Sequence, residues 1–251
     1  MYFTWFDANS WLWEIGGQKI LIDPWLVGSL TFFNLEWLVK GDRPQDRNIP
    51  ENIDLILLSQ GLQDHAHPPT LKRLNRNIPV VASVNAAKVV KELGYTNVTA
   101  LTNQQTFTLN HQVEITALPG TSLGPTVLEN GYLLKELVSN TTIYYEPHGN
   151  HSPQIKQLAP VDIIVTPIKS ASLPVVGNIL KGMNSTLEVA KWLQPRLILP
   201  TAEDRDIVYE GFLSKILRIN GSVEEFQTLL TQNNLPTKII NPTLGERTAF
   251  F

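Results

Sequence analysis

Cysteine is absent from this chain, which excludes disulfides, iron–sulfur clusters and thiolate zinc sites, and suits a reducing cytosol. A cytoplasmic location is the expectation. Charge is sparse: 20 basic and 23 acidic side chains leave a net charge of −3, and the lysines and arginines are scattered along the chain. Nothing in that distribution favours nucleic acid as a partner. No run of about 18 apolar residues occurs, so no transmembrane helix is expected. The opening stretch MYFTWFDANSWLWEIGG lacks a basic segment followed by an uninterrupted apolar one, so a secretory signal is not expected either. Neither G-x-x-x-x-G-K-[ST] nor G-x-G-x-x-G is present, which leaves phosphate binding through a glycine-rich loop unsupported. Repeats, low-complexity segments and linkers are missing as well.

What the sequence does contain is apolar: 43% of its 251 residues are hydrophobic, enough for a substantial core. One domain over residues 1–251 is expected. Short apolar runs (YFTWF, SWLWEI, KILIDPW) recur from the start, and the Gly16-Gly17 pair between the last two predicts a hairpin. DLILLS predicts a buried strand, and Pro68-Pro69 opens a helix through about Asn75. IPVVAS and NVTAL read as strands on either side of the helix VNAAKVVKELG. Between Thr106 and Tyr145 only strand-like stretches follow: TFTL, VEITAL, GYLLKEL and TTIYYE. Beyond them, SPQIKQLA, NSTLEVAKWLQ and SVEEFQTLLTQNN predict helices, and DIIVTP and RLILP predict strands. Strands clustered centrally between helical flanks suggest two sheets between helices, although alternation alone equally allows a doubly wound sheet.

The order of these elements, with KILIDPW, LILLSQGLQDHAHPPTLKRL, TTIYYEPHG and RLILPTAED at their places, resembles the metallo-β-lactamase superfamily. The nearest branch is that of the ascorbate-6-phosphate lactonases and related metal-dependent hydrolases. The resemblance spans essentially the whole chain. It implies a four-layer αββα sandwich, an α/β fold, with a metal site in a cleft at the sheet edge. Asp23 matches an aspartate that the family places beside that site.

The ligand motif departs from the family pattern. Where H-x-H-x-D-H is expected, Gln60 and Leu62 replace the two leading histidines, while Asp64 and His65 remain. The third histidine of the first metal falls near Thr121 or Ser122. His148 stands at the bridging-aspartate position, and Ala202 at the last-histidine position. Leucine has no donor atom and glutamine only a weak amide oxygen, so the first metal loses its ligands. Asp64, His65 and His148 remain as the candidate metal-ligating and catalytic residues. Two nitrogens and a carboxylate oxygen make an open three-ligand site for one zinc or another divalent transition metal, with water as fourth ligand. No metal at all is the alternative.

Each residue also has a plainer role open to it. Asp64 could cap the following helix with His65 packed beside it, His67 could do that capping, and His148 could act as general base or merely bond to Asp64. Glu146 and His151 are supporting or surface candidates, and His111 belongs to a hairpin tip. Asp23 is expected to orient neighbouring groups. Thr201, Glu203 and Asp204 offer either a replacement oxygen ligand or the polar end of a loop. Two apolar stretches, PWLVGSLTFFNLEWLV and PIKSASLPVVGNILKG, border the implied cleft. They would line a pocket for an apolar small molecule, form a homo-oligomer or membrane-surface contact, or complete the core. Two functions compete: a divergent hydrolase of an ester, lactone, amide or phosphoester using at most one metal, and a non-catalytic module that binds a ligand or partner in the same cleft.

Overall fold

The computed structural model describes residues 1–122, 128–174 and 176–250; the side chains of Thr121, Ser122 and Leu128 lie outside that description. Two seven-stranded sheets form its centre. The first runs Arg247–Ala249, Tyr2–Trp5, Trp11–Ile15, Gln18–Ile22, Leu55–Leu58, Val80–Ala82 and Val98–Ala100 from edge to edge. The second runs Lys238–Ile239, Leu197–Thr201, Ile163–Pro167, Thr142–Tyr145, Leu128–Glu136, Val113–Ser122 and Thr106–Leu109. Each sheet is half antiparallel and half parallel; helical crossovers join the parallel strands except between Gln18–Ile22 and Leu55–Leu58, where the connection carries two short strands.

Strand alternation explains the layering. Leu55 and Leu57, with Trp11, Trp13 and Ile20, face Ile143, Tyr145, Ile163 and Val165 of the other sheet in one buried cluster. Their neighbours Ile56 and Leu58 point the opposite way, onto Leu71, Ala86 and Val90 of the helices Pro68–Arg73 and Val84–Glu92. On the far side, Tyr144, Ile164 and Ile198 meet Val189 and Leu193 of helix Met183–Leu193, and Phe226 and Leu230 of helix Val223–Gln232. A four-layer αββα sandwich follows from this period of two. Each fully buried Leu or Ile contributes roughly 1.5–3 kcal/mol. Trp13 sits edge-on to Tyr145 at 5.8 Å between ring centroids, so aromatic packing bridges the two sheets.

Most predicted elements stand where expected. Gly16 and Gly17, with φ of 55° and 74°, turn the hairpin Trp11–Ile15/Gln18–Ile22, a turn that needs two positive φ values. SPQIKQLA differs: it forms a short 3₁₀ helix, Pro153–Leu158, with Pro153 at its first position and Pro160 just beyond its end. The two apolar stretches hold short strands that the sequence pattern hides. Leu30–Thr31, Lys40–Asp42 and Val208–Glu210 make one three-stranded ribbon; Gly177–Leu180, Ser170–Leu173 and Arg218–Asn220 make another. No helix among the described residues is long and apolar enough to cross a membrane.

Candidate metal centre

The parallel strands of both sheets end at one edge, and their following residues meet there. Strand Gln18–Ile22 delivers Asp23, Leu55–Leu58 delivers Ser59 and Gln60, and Thr142–Tyr145 delivers Glu146 and His148. The turn after Gln60 is tight, with the amides of His65 and Ala66 both donating to the Leu62 carbonyl at 3.0 and 2.8 Å. It places Asp64 and His65 just before the helix that His67 caps. The turn that carries His148 is pinned by the Lys181 amide, which donates to the His148 carbonyl at 2.8 Å.

Each imidazole has a buried carboxylate behind it. His65 Nδ1 donates to Asp23 Oδ2 at 2.8 Å, and Nδ1 of His148 donates to Glu129 Oε1 at 2.6 Å. Asp23 is itself held by the Ser59 amide at 2.8 Å, the Ser59 hydroxyl at 2.6 Å and the Tyr145 hydroxyl at 2.7 Å. Such backing fixes ring orientation and turns Nε2 of each ring toward the site, where His148 Nε2 contacts the Gln60 side-chain amide nitrogen at 3.4 Å. The rings are 5.0 Å apart, centroid to centroid. Asp64 Oδ2 lies 3.2 Å from His65 Nε2, and donor atoms of Asp64, His65 and His148 all fall within 4.8 Å of one another.

Electrostatics match the geometry. Burial works to raise the Asp64 carboxyl, yet His65 and His148 outweigh it and hold it below its ordinary value. Burial opposes charge on His65, but Asp64 and Asp23 push its pKa well above the ordinary imidazole range. His148 is raised in the same way, burial being overcome by Glu129. Burial, and then Glu129, push Glu146 up to about 7. Buried atoms without a hydrogen-bond partner include His65 Nε2, Asp64 Oδ1 and Gln60 Oε1. An imidazole nitrogen and a carboxylate oxygen left bare in the interior are what a bound cation would satisfy, so the donor set fits a divalent transition metal.

The structure thus brings together Asp64, His65 and His148. Asp64 does not cap the helix; His67 does, accepting from the Thr70 amide at 3.4 Å. A second group of donors, Glu129, Glu146 and His148, is equally compact, but Glu129 there engages His148 Nδ1 and Glu146 accepts from the amides of His148 and Asn150. Its evident role is to brace the His148 turn. Thr201 bonds to Trp11 and Asn9, Glu203 pairs with Lys169, and Asp204 accepts from the Tyr209 hydroxyl. None of the three is grouped with the central donors. His151 stacks on Tyr144 at 5.6 Å, and His111 occupies a hairpin tip at φ 55°. The position proposed near Thr121 or Ser122 for a third histidine lies at side chains outside the described residues. Glu129, Ser59 and Tyr145 are functional-site residues that sequence reasoning missed. The one signal was an acid beside an amide, Glu129-Asn130, near the head of the strand LENGYLLKE.

Above these donors opens a cavity of about 560 Å³, floored by Gln60, Leu62, Asp64 and His148. Both apolar stretches line it, the first through Trp25 and Phe32 and the second through Leu173 and Ile179.

A family described as the beta-lactamase superfamily domain matches residues 2–202. A UPF0173 metal-dependent hydrolase from Thermodesulfovibrio yellowstonii is 21% identical over 266 residues, covering 97% of this chain and 90% of its own. Among solved structures, an isothiocyanate hydrolase from Delia radicum gut bacteria matches 100% of this chain and 99% of its own, with a TM-score of 0.71 at 19% identity. A possible metal-dependent hydrolase from Veillonella parvula matches with the same coverage, a TM-score of 0.72 and 13% identity. At these identities the two structures speak to fold alone.

Proposed function

This chain belongs to the beta-lactamase superfamily domain family, in its metal-dependent hydrolase branch, and from that premise we propose that it is a cytoplasmic single-domain hydrolase using one divalent metal. Asp64, His65 and His148 are the proposed ligands, and the bond attacked is an ester, lactone, amide or phosphoester of a small molecule. The observation that carries this reading is the convergence of two carboxylate-backed, buried imidazoles on one half-buried carboxylate, that of Asp64. A metal held by these three residues would supply Lewis acidity there, lowering the pKa of a water toward neutral pH and polarising a carbonyl or phosphoryl oxygen.

The chain's own residues do the rest. Asp23 and Glu129 hold the two rings in register. The unpartnered Oε1 of Gln60, at the cavity floor, accepts a hydrogen bond from the attacking water or from a substrate N–H. Gln60 and Leu62 also explain why one metal is proposed and not two, since neither provides an imidazole. A competing reading, a binding module without catalysis, rests on the same two residues and on Ala202.

Elemental analysis of protein purified without chelator tests both. The expected outcome is one zinc-class ion per chain, lost in both His65→Ala and His148→Ala. Two ions per chain would sink the one-metal reading. Retention of none, even after dialysis against micromolar zinc, would favour the binding module.

A further inference from the structure

Charge inside the cavity narrows the ligand. Among the described residues that line it, Lys169 is the sole lysine or arginine, its ammonium is paired with the Glu203 carboxylate, and the His148 imidazole is paired with Glu129. Asp64 adds negative charge to the same walls, while burial pushes the Asp204 carboxyl up to about 7. The remaining surface is built mainly from side chains such as Leu30, Phe32, Leu173, Ile179, Leu213 and Leu217. A phosphate or carboxylate entering the metal-free cavity would lose hydration, face the Asp64 carboxylate and find no lysine or arginine among the described lining residues free of a partner. Burying an unpaired charge is among the costliest things a protein can do.

The third wall comes from the chain just beyond the residues matched by the family, which stop at 202. Strand Val208–Glu210 pairs with Lys40–Asp42, and strand Arg218–Asn220 pairs with Ser170–Leu173, so this one segment ties both apolar stretches together. Between the strands, the short helix Phe212–Ile216 turns Leu213 into the cavity. Gly211 allows the close approach, since a Cβ there would meet the Leu38 carbonyl at 2.8 Å. The Tyr209 hydroxyl is used internally, donating to Asp204 at 3.2 Å.

We infer that the cavity takes an uncharged, apolar small molecule with a single polar head, of the class of medium-chain or aromatic esters, lactones and amides. The metal-free cavity disfavours phosphorylated ligands, and the segment 203–221 sets the selection. This rests on the hydrolase reading for the bond that is cut, but occupancy of the cavity does not depend on the metal.

Binding is therefore tested on metal-free protein with N-phenyl-1-naphthylamine, an uncharged fluorescent probe. The probe should bind, and octanamide should displace it at concentrations at least about tenfold below those needed with octyl phosphate. Leu213→Trp, which fills the cavity from the lid, should weaken the probe by about tenfold or more while its melting temperature stays near wild type. Glu203→Gln, which unpairs Lys169, should improve octyl phosphate roughly fivefold without affecting octanamide. Failure of the probe to bind, equal displacement by the two octyl compounds, or no gain from Glu203→Gln would overturn the inference. Absence of metal binding with these results intact would overturn only the hydrolase reading.

Discussion

Oδ2 of Asp23 lies 2.8 Å from Nδ1 of His65 and receives the Tyr145 hydroxyl at 2.7 Å from the opposite sheet. One carboxylate oxygen therefore links an imidazole of the site to the aromatic seam between the sheets. Replacing it by an amide, Asp23→Asn, removes the charge and puts an N–H₂ where acceptors are needed. Zinc affinity should fall about 10–100-fold, as for other partners that orient metal-binding imidazoles. Stability should fall by about 1–3 kcal/mol because donors in the interior lose their acceptor. Chelator competition and urea unfolding read the two effects separately; unchanged zinc affinity would show that the contact is structural only.

Glu129 backs His148 as Asp23 backs His65, with Oε1 at 2.6 Å from Nδ1. Glu129→Gln keeps a shape that can still accept from Nδ1 but removes the charge assistance, which is about half of such a bond. Zinc affinity is expected to drop roughly tenfold with the stoichiometry unchanged. Glu129→Leu leaves Nδ1 with no acceptor and should cost more. Equal affinities for wild type and both variants would mean that Glu129 does not orient the ring.

The sandwich was legible because its strands are short, apolar and separated by turn residues whose chemistry is local. Gly16-Gly17 announces its hairpin, and LILL and IIVTP announce strands, whose parallel pairing only the structure shows. Asp64 and His65 were legible too, being adjacent in a turn. Glu129 was not: it meets His148 from a different strand, and no sequence period encodes a contact between side chains 19 residues apart. Tyr145 likewise reads as a core aromatic until its hydroxyl is seen on Asp23. The cavity lid escaped for another reason. Strands of two to four residues, such as Leu30–Thr31 and Val208–Glu210, are too brief to display an alternation.

Gly149 and Gly17 both have φ near 75°, yet their substitutions should differ sharply. A Cβ on Gly17 meets nothing within 4 Å, whereas one on Gly149 would lie 1.8 Å from the Lys181 carbonyl oxygen. Gly17→Ala should therefore cost only the left-handed backbone strain, about 1–2 kcal/mol. Gly149→Ala must also move backbone next to His148 and should cost at least about 3 kcal/mol, with loss of bound zinc. Denaturant midpoints and metal content of the two variants make the comparison. Similar costs would contradict the packing of the His148 turn.

His151 provides a pH signature away from the proposed ligands. Burial first, and then the charge of Lys181, lower its pKa from 6.5 to about 3. Its other polar neighbours are the hydroxyls of Tyr144 and Thr166, at 3.1 and 3.4 Å. The folded imidazole stays neutral where the unfolded one takes up a proton, so the unfolded state binds more protons between pH 6.5 and about 3. Stability then rises with pH across that window, and is lost as pH falls through it, by up to about 1.4 kcal/mol per pH unit for one site. Above pH 6.5 this residue adds no slope. His151→Gln, which keeps a polar group without the titration, should flatten the stability profile by close to one proton between pH 6 and 4 and leave it parallel to wild type above pH 7. Denaturant unfolding of both proteins at intervals across that range measures the difference. Parallel profiles throughout would show that the folded protein lets His151 protonate as freely as the unfolded chain does.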